Sequence, residues 1–131
     1  MLLDTSGLYA LLDASEARHR RACEAYDAAP RRFTHSYVLA ELVPLALVRR
    51  LDRRKVLMFI AALLTGREVE VLWPSPELYR RALQLLEARP DKDYSLCDAI
   101  SFVLMREREE SRALTTDHHF EQEGFIRVLP A

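Results

Sequence analysis

Two acidic residues directly follow apolar segments that have the composition of buried strands. Asp4 comes after Leu2 and Leu3, and Asp117 comes shortly after the segment Ala113–Thr115. In an open parallel sheet, ligands bind outside the carboxyl ends of the strands. We therefore expect both carboxylates at one edge of such a sheet, where they could act on a bound ligand.

Two further acids stand where the helical pattern calls for apolar residues. Glu41 has Tyr37, Val38, Leu45 and Val48 as its neighbours at helical spacing, so it is predicted to interrupt a buried stripe. Asp98 likewise shares one side of its helix with Ser101, Phe102 and Met105. Because each of these helices starts after a strand or after the loop leading from one, all four acids are expected to converge.

Four converging carboxylates would repel one another strongly unless a cation joined them. Mg²⁺ or Mn²⁺ takes oxygen ligands, lowers the pKa of a bound water and stabilises charge on a phosphoryl oxygen. That is the chemistry of phosphodiester hydrolysis. Ser6 and Thr115 lie beside the acids in sequence, and their hydroxyls could orient the acids or the water.

Each acid also has a simpler interpretation. Asp4 and Asp117 could be helix N-caps. Glu41 and Asp98 could be partners of buried arginines. Pro44, inside the same helix as Glu41, is expected to kink it just past that residue.

Other chemistries are less well supported. His118 and His119 suggest a zinc site, but adjacent histidines on a helix point about 100° apart and no H-E-x-x-H or cysteine pair accompanies them. The chain contains three glycines and no glycine-rich phosphate loop, which argues against nucleotide cradling. No Ser-His-Asp arrangement can be assembled with any specificity.

Strand and helix signals alternate along the whole chain, which predicts a parallel sheet of four to five strands with helices on both faces. The predicted strands are 1–3, 32–34, 69–73, 113–115 and 126–129, and the predicted helices are 5–12, 15–28, 36–50, 52–65, 75–87, 95–110 and 117–123. The length of 131 residues suits a single domain covering 1–131.

Composition predicts a cytoplasmic globular protein. No apolar run reaches the roughly 20 residues that a membrane helix needs, and no secretory leader is apparent. Cys23 and Cys97 are far apart and are expected to be reduced thiols. The formal net charge is −1, but Arg49, Arg50, Arg53, Arg54 and Lys55 form one basic run, either a solvated helix end or a contact for phosphate or a partner.

Four stretches of the chain occur together, in this order, in a known family. They are Leu-Leu-Asp-Thr-Ser at 2–6, Thr-His-Ser-Tyr-Val-Leu-Ala-Glu-Leu at 34–42, Asp-Tyr-Ser-Leu-Cys-Asp-Ala-Ile-Ser-Phe at 93–102 and Leu-Thr-Thr-Asp-His-His-Phe at 114–120. Each is weak alone, but together they span nearly the whole chain. The sequence thus resembles the PIN-domain ribonucleases, and among them the VapC-like toxins of VapBC toxin–antitoxin pairs.

The resemblance implies a three-layer α/β/α fold and an endoribonuclease that uses Mg²⁺ or Mn²⁺. By residue matching, Asp4, Glu41, Asp98 and Asp117 take the acidic, metal-binding positions, and Ser6 and Thr115 take the hydroxyl positions of the catalytic site. Cys97 stands where threonine is common in the family. The resemblance also implies an RNA substrate, a homodimer and a cognate antitoxin that enters the active-site groove.

Two alternatives remain. One is a non-catalytic PIN-like binding module, although such a module has no need for four costly acids. The other is a phosphotransfer enzyme with Asp4 as nucleophile, as in haloacid-dehalogenase-like folds. In those, an Asp-x-Asp pattern ends the first strand, whereas here Ser6 stands two residues after Asp4, and neither Lys55 nor Lys92 lies in a fitting motif.

Overall fold

A computed structural model describes residues 1–130 of the protein. The strands are β1 (Leu2–Leu3), β2 (Phe33–His35), β3 (Glu70–Leu72), β4 (Arg112–Leu114) and β5 (Ile126–Arg127). The helices are α1 (Thr5–Leu12), α2 (His19–Ala28), α3 (Ser36–Val48), α4 (Arg53–Thr65), α5 (Pro76–Ala88), α6 (Leu96–Glu107) and α7 (His119–Gln122).

The strands form one parallel sheet in the order β3-β2-β1-β4-β5. β1 lies at its centre, with Leu2 opposite both Phe33 of β2 and Ala113 of β4. Because all strands run in one direction, the segments after β1, β2 and β4 leave the sheet at the same edge. The predicted parallel sheet is confirmed, with five strands.

Helices cover both faces of the sheet, so the fold has the predicted three layers. Alternate strand residues point to opposite faces. Leu3 and Leu114 therefore pack in one core with α1 to α4, and Leu2 and Ala113 pack in the other with α5 to α7. No helix within residues 1–130 is both long enough and apolar enough to cross a bilayer.

Several predicted boundaries are displaced by local hydrogen bonds. α2 begins at His19 rather than near residue 15, because Asp13 Oδ1 accepts hydrogen bonds from both the backbone N–H and the hydroxyl of Ser15, at 3.0 and 2.7 Å. Such a side-chain turn competes with helix formation. α6 ends three residues earlier than predicted and α7 begins two residues later.

The expectation that Glu41 interrupts a buried stripe is wrong. Val38 and Leu42 of α3 are buried, but Val48 is 78% exposed and Glu41 itself is exposed. α3 packs on the sheet along the side that carries Val38 and Leu42, and Glu41 lies on the neighbouring side. Pro44 remains inside the helix.

Candidate active site

Asp4 is a buried carboxylate at the carboxyl end of the central strand. It occupies the N-cap position of α1, yet its side chain makes no capping hydrogen bond. Instead its Oδ2 accepts a hydrogen bond of 2.7 Å from the hydroxyl of Thr115, which follows the neighbouring strand β4. The interpretation of Asp4 as a helix cap is therefore wrong.

Ser6 and Thr115 form a chain of hydrogen bonds that ends on Asp4. The Thr115 hydroxyl has one proton, which it donates to Asp4, so Ser6 Oγ at 3.1 Å is the donor to Thr115. Thr115 Oγ also accepts the backbone N–H of Asp117 at 3.0 Å. Ser6 Oγ accepts the N–H of Thr116 at 2.9 Å. The two hydroxyls thus fix both the Asp4 carboxylate and the first residues after β4.

Asp98 lies in the first turn of α6 and takes part in a capping box. Its Oδ2 accepts the backbone N–H of Ser95 at 2.9 Å, and Ser95 Oγ accepts the N–H of Asp98 at 3.0 Å. The alternative that Asp98 and Glu41 pair with buried arginines is wrong, since no arginine or lysine in residues 1–130 forms an ion pair with either.

Asp117 follows β4 and has two roles in the structure. Its Oδ1 accepts the backbone N–H of His119 at 2.9 Å, which fixes the turn before α7. The N-cap of α7 is His118, whose side chain makes no capping hydrogen bond, so the interpretation of Asp117 as a helix cap is wrong. The half-buried side chain nevertheless faces the same pocket as Asp4 and Asp98.

Glu41 approaches the other acids from α3. Its Oε2 accepts a hydrogen bond of 3.3 Å from the hydroxyl of Thr5. The buried Cys97 thiol, one residue before Asp98, also lies against this carboxylate. A thiol therefore occupies the place beside the acids where a threonine hydroxyl was expected from the family pattern.

His119 also belongs to this site, although it was not predicted as a site residue. Its Nδ1 lies 3.4 Å from Asp98 Oδ2 and 3.3 Å from Asp117 Oδ1, and its ring is packed edge-on against Tyr94. The expected divergence of the two histidines is wrong as well. His118 precedes the first residue of α7, and the two imidazole centroids are 4.5 Å apart.

These side chains meet in one pocket of about 650 Å³ at the carboxyl ends of β1 and β4. The predicted residues that line it are Asp4, Ser6, Glu41, Asp98 and Asp117. Thr115 is fully buried behind Asp4 and does not line the pocket. Its link to the site is the hydrogen bond to the Asp4 carboxylate. Thr5, Asp93 and His119 also line the pocket and were not predicted. The position of Thr5 directly after Asp4 was the one signal that could have indicated it.

Comparison with known proteins assigns the family. The family model for the PIN domain matches residues 1–125. The chain belongs to the PIN domain family. It is 32% identical over 131 residues to the 23S rRNA-specific endonuclease VapC20 of Mycobacterium tuberculosis, in strain CDC 1551 and in strain H37Rv, with 99% of this chain and 98% of the relative covered. The crystal structure of M. tuberculosis VapC20, described as a Sarcin-Ricin loop cleaving toxin, superposes with a TM-score of 0.88 at 31% identity over 98% of both chains.

The acids of this PIN domain raise one another's pKa values. Burial, followed by the charges of Asp98 and Asp117, raises the pKa of Asp4 to about 7 despite the hydrogen bonds from Thr115 and Thr5. Burial and the charge of Asp117 raise the pKa of Asp98. Glu41 is exposed as a residue, but partial burial of its carboxyl and the charge of Asp98 raise its pKa. In the absence of a cation, the cluster therefore favours protonation.

This PIN domain is expected to gain stability from the substitution Asp4→Asn at high pH when metal is removed. The pKa of Asp4 is raised in the folded state, so folding retains a proton that the unfolded chain releases, and stability falls as the pH rises from about 4 to about 7. We expect equal unfolding free energies for both proteins at about pH 3, where Asp4 is protonated in the folded and the unfolded state, and an advantage of a few kcal/mol for the variant at about pH 8.

Thermal unfolding in EDTA across this pH range measures the difference. Buried His35, whose pKa is lowered to about 4 by burial, changes stability in the opposite direction over part of the range. Its contribution cancels because it is common to both proteins. Parallel pH profiles for the two proteins would mean that Asp4 ionises normally.

Proposed function

We propose that the protein is an endoribonuclease that hydrolyses RNA phosphodiester bonds, and that it is the toxin of a toxin–antitoxin pair. The observation that carries the proposal is the convergence of Asp4, Glu41, Asp98 and Asp117 on one pocket, with no lysine or arginine among its lining residues within 1–130. Membership of the PIN domain family supports the same activity.

A hard divalent cation fits this donor set. Without a cation, burial and the neighbouring negative charges disfavour ionisation of these acids, as the raised pKa values of Asp4, Asp98 and Glu41 indicate. A cation with oxygen ligands removes that cost. We propose Mg²⁺ or Mn²⁺, held by Asp4 and Asp98 with Asp117 and Glu41. When bound, it would supply a water of lowered pKa and stabilise charge on the scissile phosphate.

The chain's other polar groups hold these acids in position. Ser6 and Thr115 orient Asp4, and the Ser95 N–H orients Asp98. His119 Nδ1 lies within 3.4 Å of the carboxylates of both Asp98 and Asp117. We propose Ser6 and Thr115 as positioning residues of the catalytic site rather than groups that contact the substrate.

We further propose the sarcin–ricin loop of 23S rRNA as the substrate, since VapC20 is described as cleaving that loop and matches almost the whole chain. Access to ribosomes implies a cytoplasmic protein. A single-domain homodimer is proposed because Tyr37 and Trp73 are exposed beside the edge strand β3, where a second copy would cover them. The phosphotransfer alternative finds no support, as Ser6 is bound to Thr115 and no lysine lines the pocket among the described residues.

Chelation tests the proposed reaction. Purified protein is incubated with a synthetic hairpin of the sarcin–ricin loop and with a scrambled hairpin of equal length. We expect Mg²⁺ or Mn²⁺ to support cleavage of the first hairpin at a defined position. EDTA should abolish this cleavage, and excess Mn²⁺ should restore it. Mn²⁺ should also raise the melting temperature, because it binds only the folded state. Cleavage that continues in EDTA would contradict the metal-dependent mechanism.

A further inference from the structure

The connection between α3 and α4, together with the first turn of α4, carries five exposed cations, which we call the basic arm. They are Arg49, Arg50, Arg53, Arg54 and Lys55. The single acid within this run, Asp52, accepts the backbone N–H of Arg54 as the N-cap of α4. None of the five cations forms an ion pair with any residue in 1–130. The basic arm is therefore a concentrated positive charge without an internal partner.

The basic arm continues the line of residues that leads out of the acidic pocket. Glu41 and Leu45 line the pocket and are one helical turn apart on α3, and Arg49 follows one turn later. With a rise of 1.5 Å per residue, Arg49 lies about 12 Å from Glu41 along the helix axis. An RNA strand that runs from the pocket along α3 would therefore reach Arg49 after Leu45.

The guanidinium of Arg49 is held in place without being neutralised. It lies 5.4 Å from the centroid of the Tyr9 ring on α1. Asp13 is close by, but its Oδ2 accepts the Tyr9 hydroxyl at 2.7 Å and its Oδ1 is bound by Ser15. The contact with the ring orders Arg49 and leaves its N–H groups free for an anion.

Two cations on other sides of the pocket, Lys92 and Arg127, are already engaged. On the loop before α6, Lys92 is paired with Asp91 at 3.4 Å. Beyond β4, Arg127 donates to Glu121 at 3.0 Å and to the carbonyl of Thr116 at 3.0 Å. Binding RNA with these side chains would require breaking existing contacts. The five cations of the basic arm could bind RNA without breaking an ion pair.

An acidic pocket repels the phosphates next to the one being cleaved, so affinity must come from cations beside the pocket. We propose that the basic arm, with Arg49 nearest the pocket, binds backbone phosphates of the RNA strand on the α1–α3 side of the cleavage site. This inference rests on the proposed ribonuclease function. It names a surface that positions the RNA, distinct from the acids that act on it.

The test removes two charges from the basic arm and follows RNA binding. The sarcin–ricin hairpin is titrated with wild-type protein and with the double variant Arg49→Gln/Arg53→Gln in EDTA at several salt concentrations. We expect the variant to bind about tenfold more weakly at moderate salt. The slope of log affinity against log salt should fall by about 1.4, at about 0.7 for each phosphate that the variant no longer neutralises. In Mn²⁺, the weaker binding should appear mainly as a higher KM.

A matched control removes two charges from the opposite edge of the sheet. Arg31 precedes β2 and Arg67 precedes β3, and both are exposed. Arg31→Gln/Arg67→Gln should bind like the wild type, and Arg49→Lys/Arg53→Lys should recover most of the affinity because it retains the charge. Equal weakening by the control, or unchanged binding by Arg49→Gln/Arg53→Gln, would overturn the proposal while wild-type cleavage stands. A wild-type protein that neither binds nor cleaves the hairpin would overturn the proposed function and this inference together.

Discussion

Replacing Asp4 by asparagine is expected to lower the rate of RNA cleavage about a thousandfold or more while leaving the protein folded. Asparagine is nearly isosteric and can still accept the hydroxyl of Thr115, so the hydrogen bonds around the pocket persist. The substitution removes a negative charge at the centre of the cluster, which weakens the proposed cation site. Asp98→Asn should behave alike, since its amide oxygen can still accept the Ser95 N–H.

The control for Asp4→Asn is an acid that lines the same pocket but is not one of the four proposed metal ligands. Asp93 lines the pocket but is exposed on the loop before α6. Asp93→Asn should reduce cleavage by less than about tenfold, because it removes a charge without removing a proposed metal ligand. Calorimetric titration of Mn²⁺ gives a second measurement, in which Asp4→Asn should bind far more weakly than Asp93→Asn. Full activity of Asp4→Asn would rule out the proposed cluster.

The second large effect is expected at Gly7, where α1 lies against β4. A Cβ at this position would stand 1.9 Å from the carbonyl oxygen of Leu114 and 2.7 Å from its carbonyl carbon. Backbone atoms cannot move aside as a flexible side chain can, so Gly7→Ala must push α1 away from the sheet. We expect a loss of about 3 kcal/mol or more and a fall in melting temperature of roughly 10 °C. Because Ser6 and Asp4 flank this contact, cleavage should decline as well.

Gly124→Ala provides the contrast for the same chemical change. Gly124 has a φ of 94°, but an added Cβ there would meet no atom within 4 Å. Its cost should be that of the backbone conformation alone, about 1 kcal/mol. Thermal melting of both variants separates the steric effect from the conformational one. A Gly7→Ala protein as stable as Gly124→Ala would contradict the close approach of α1 to β4.

The strand-end acids could be predicted because connectivity alone determines their place. Asp4 and Asp117 come soon after strands that prove to be neighbours and parallel, so their convergence needs no knowledge of side-chain packing. The apolar-stripe argument failed for Glu41, because its burial depends on which side of α3 packs on the sheet. An apolar pattern that continues around a helix does not specify that side, and Val48 turned out to be exposed.

Other features depend on distances between elements far apart in sequence. His119 lies beside Asp98 because α6 and α7 pack on the same face of the sheet. The two residues are 21 positions apart, so no local sequence pattern predicts their contact. The absence of a capping bond from Asp4 is similar, since the competing hydroxyl of Thr115 belongs to another strand. Gly7 showed no turn signal, and its significance is visible only where its backbone meets Leu114.

The capping box at Asp98 also affects which mutations can abolish activity without unfolding the protein. Asp98 serves both the start of α6 and the proposed cation site, so Asp98→Ala removes one half of the capping box together with a proposed ligand. The exposed Glu41 receives a long hydrogen bond from Thr5 and a contact from the Cys97 thiol, so we expect its loss to leave the fold intact. If cells escape a growth-arresting nuclease by mutation, varied replacements at Glu41 should yield stable, full-length, inactive protein. At Asp98 only asparagine should do so, which makes it the acid least free to vary during escape.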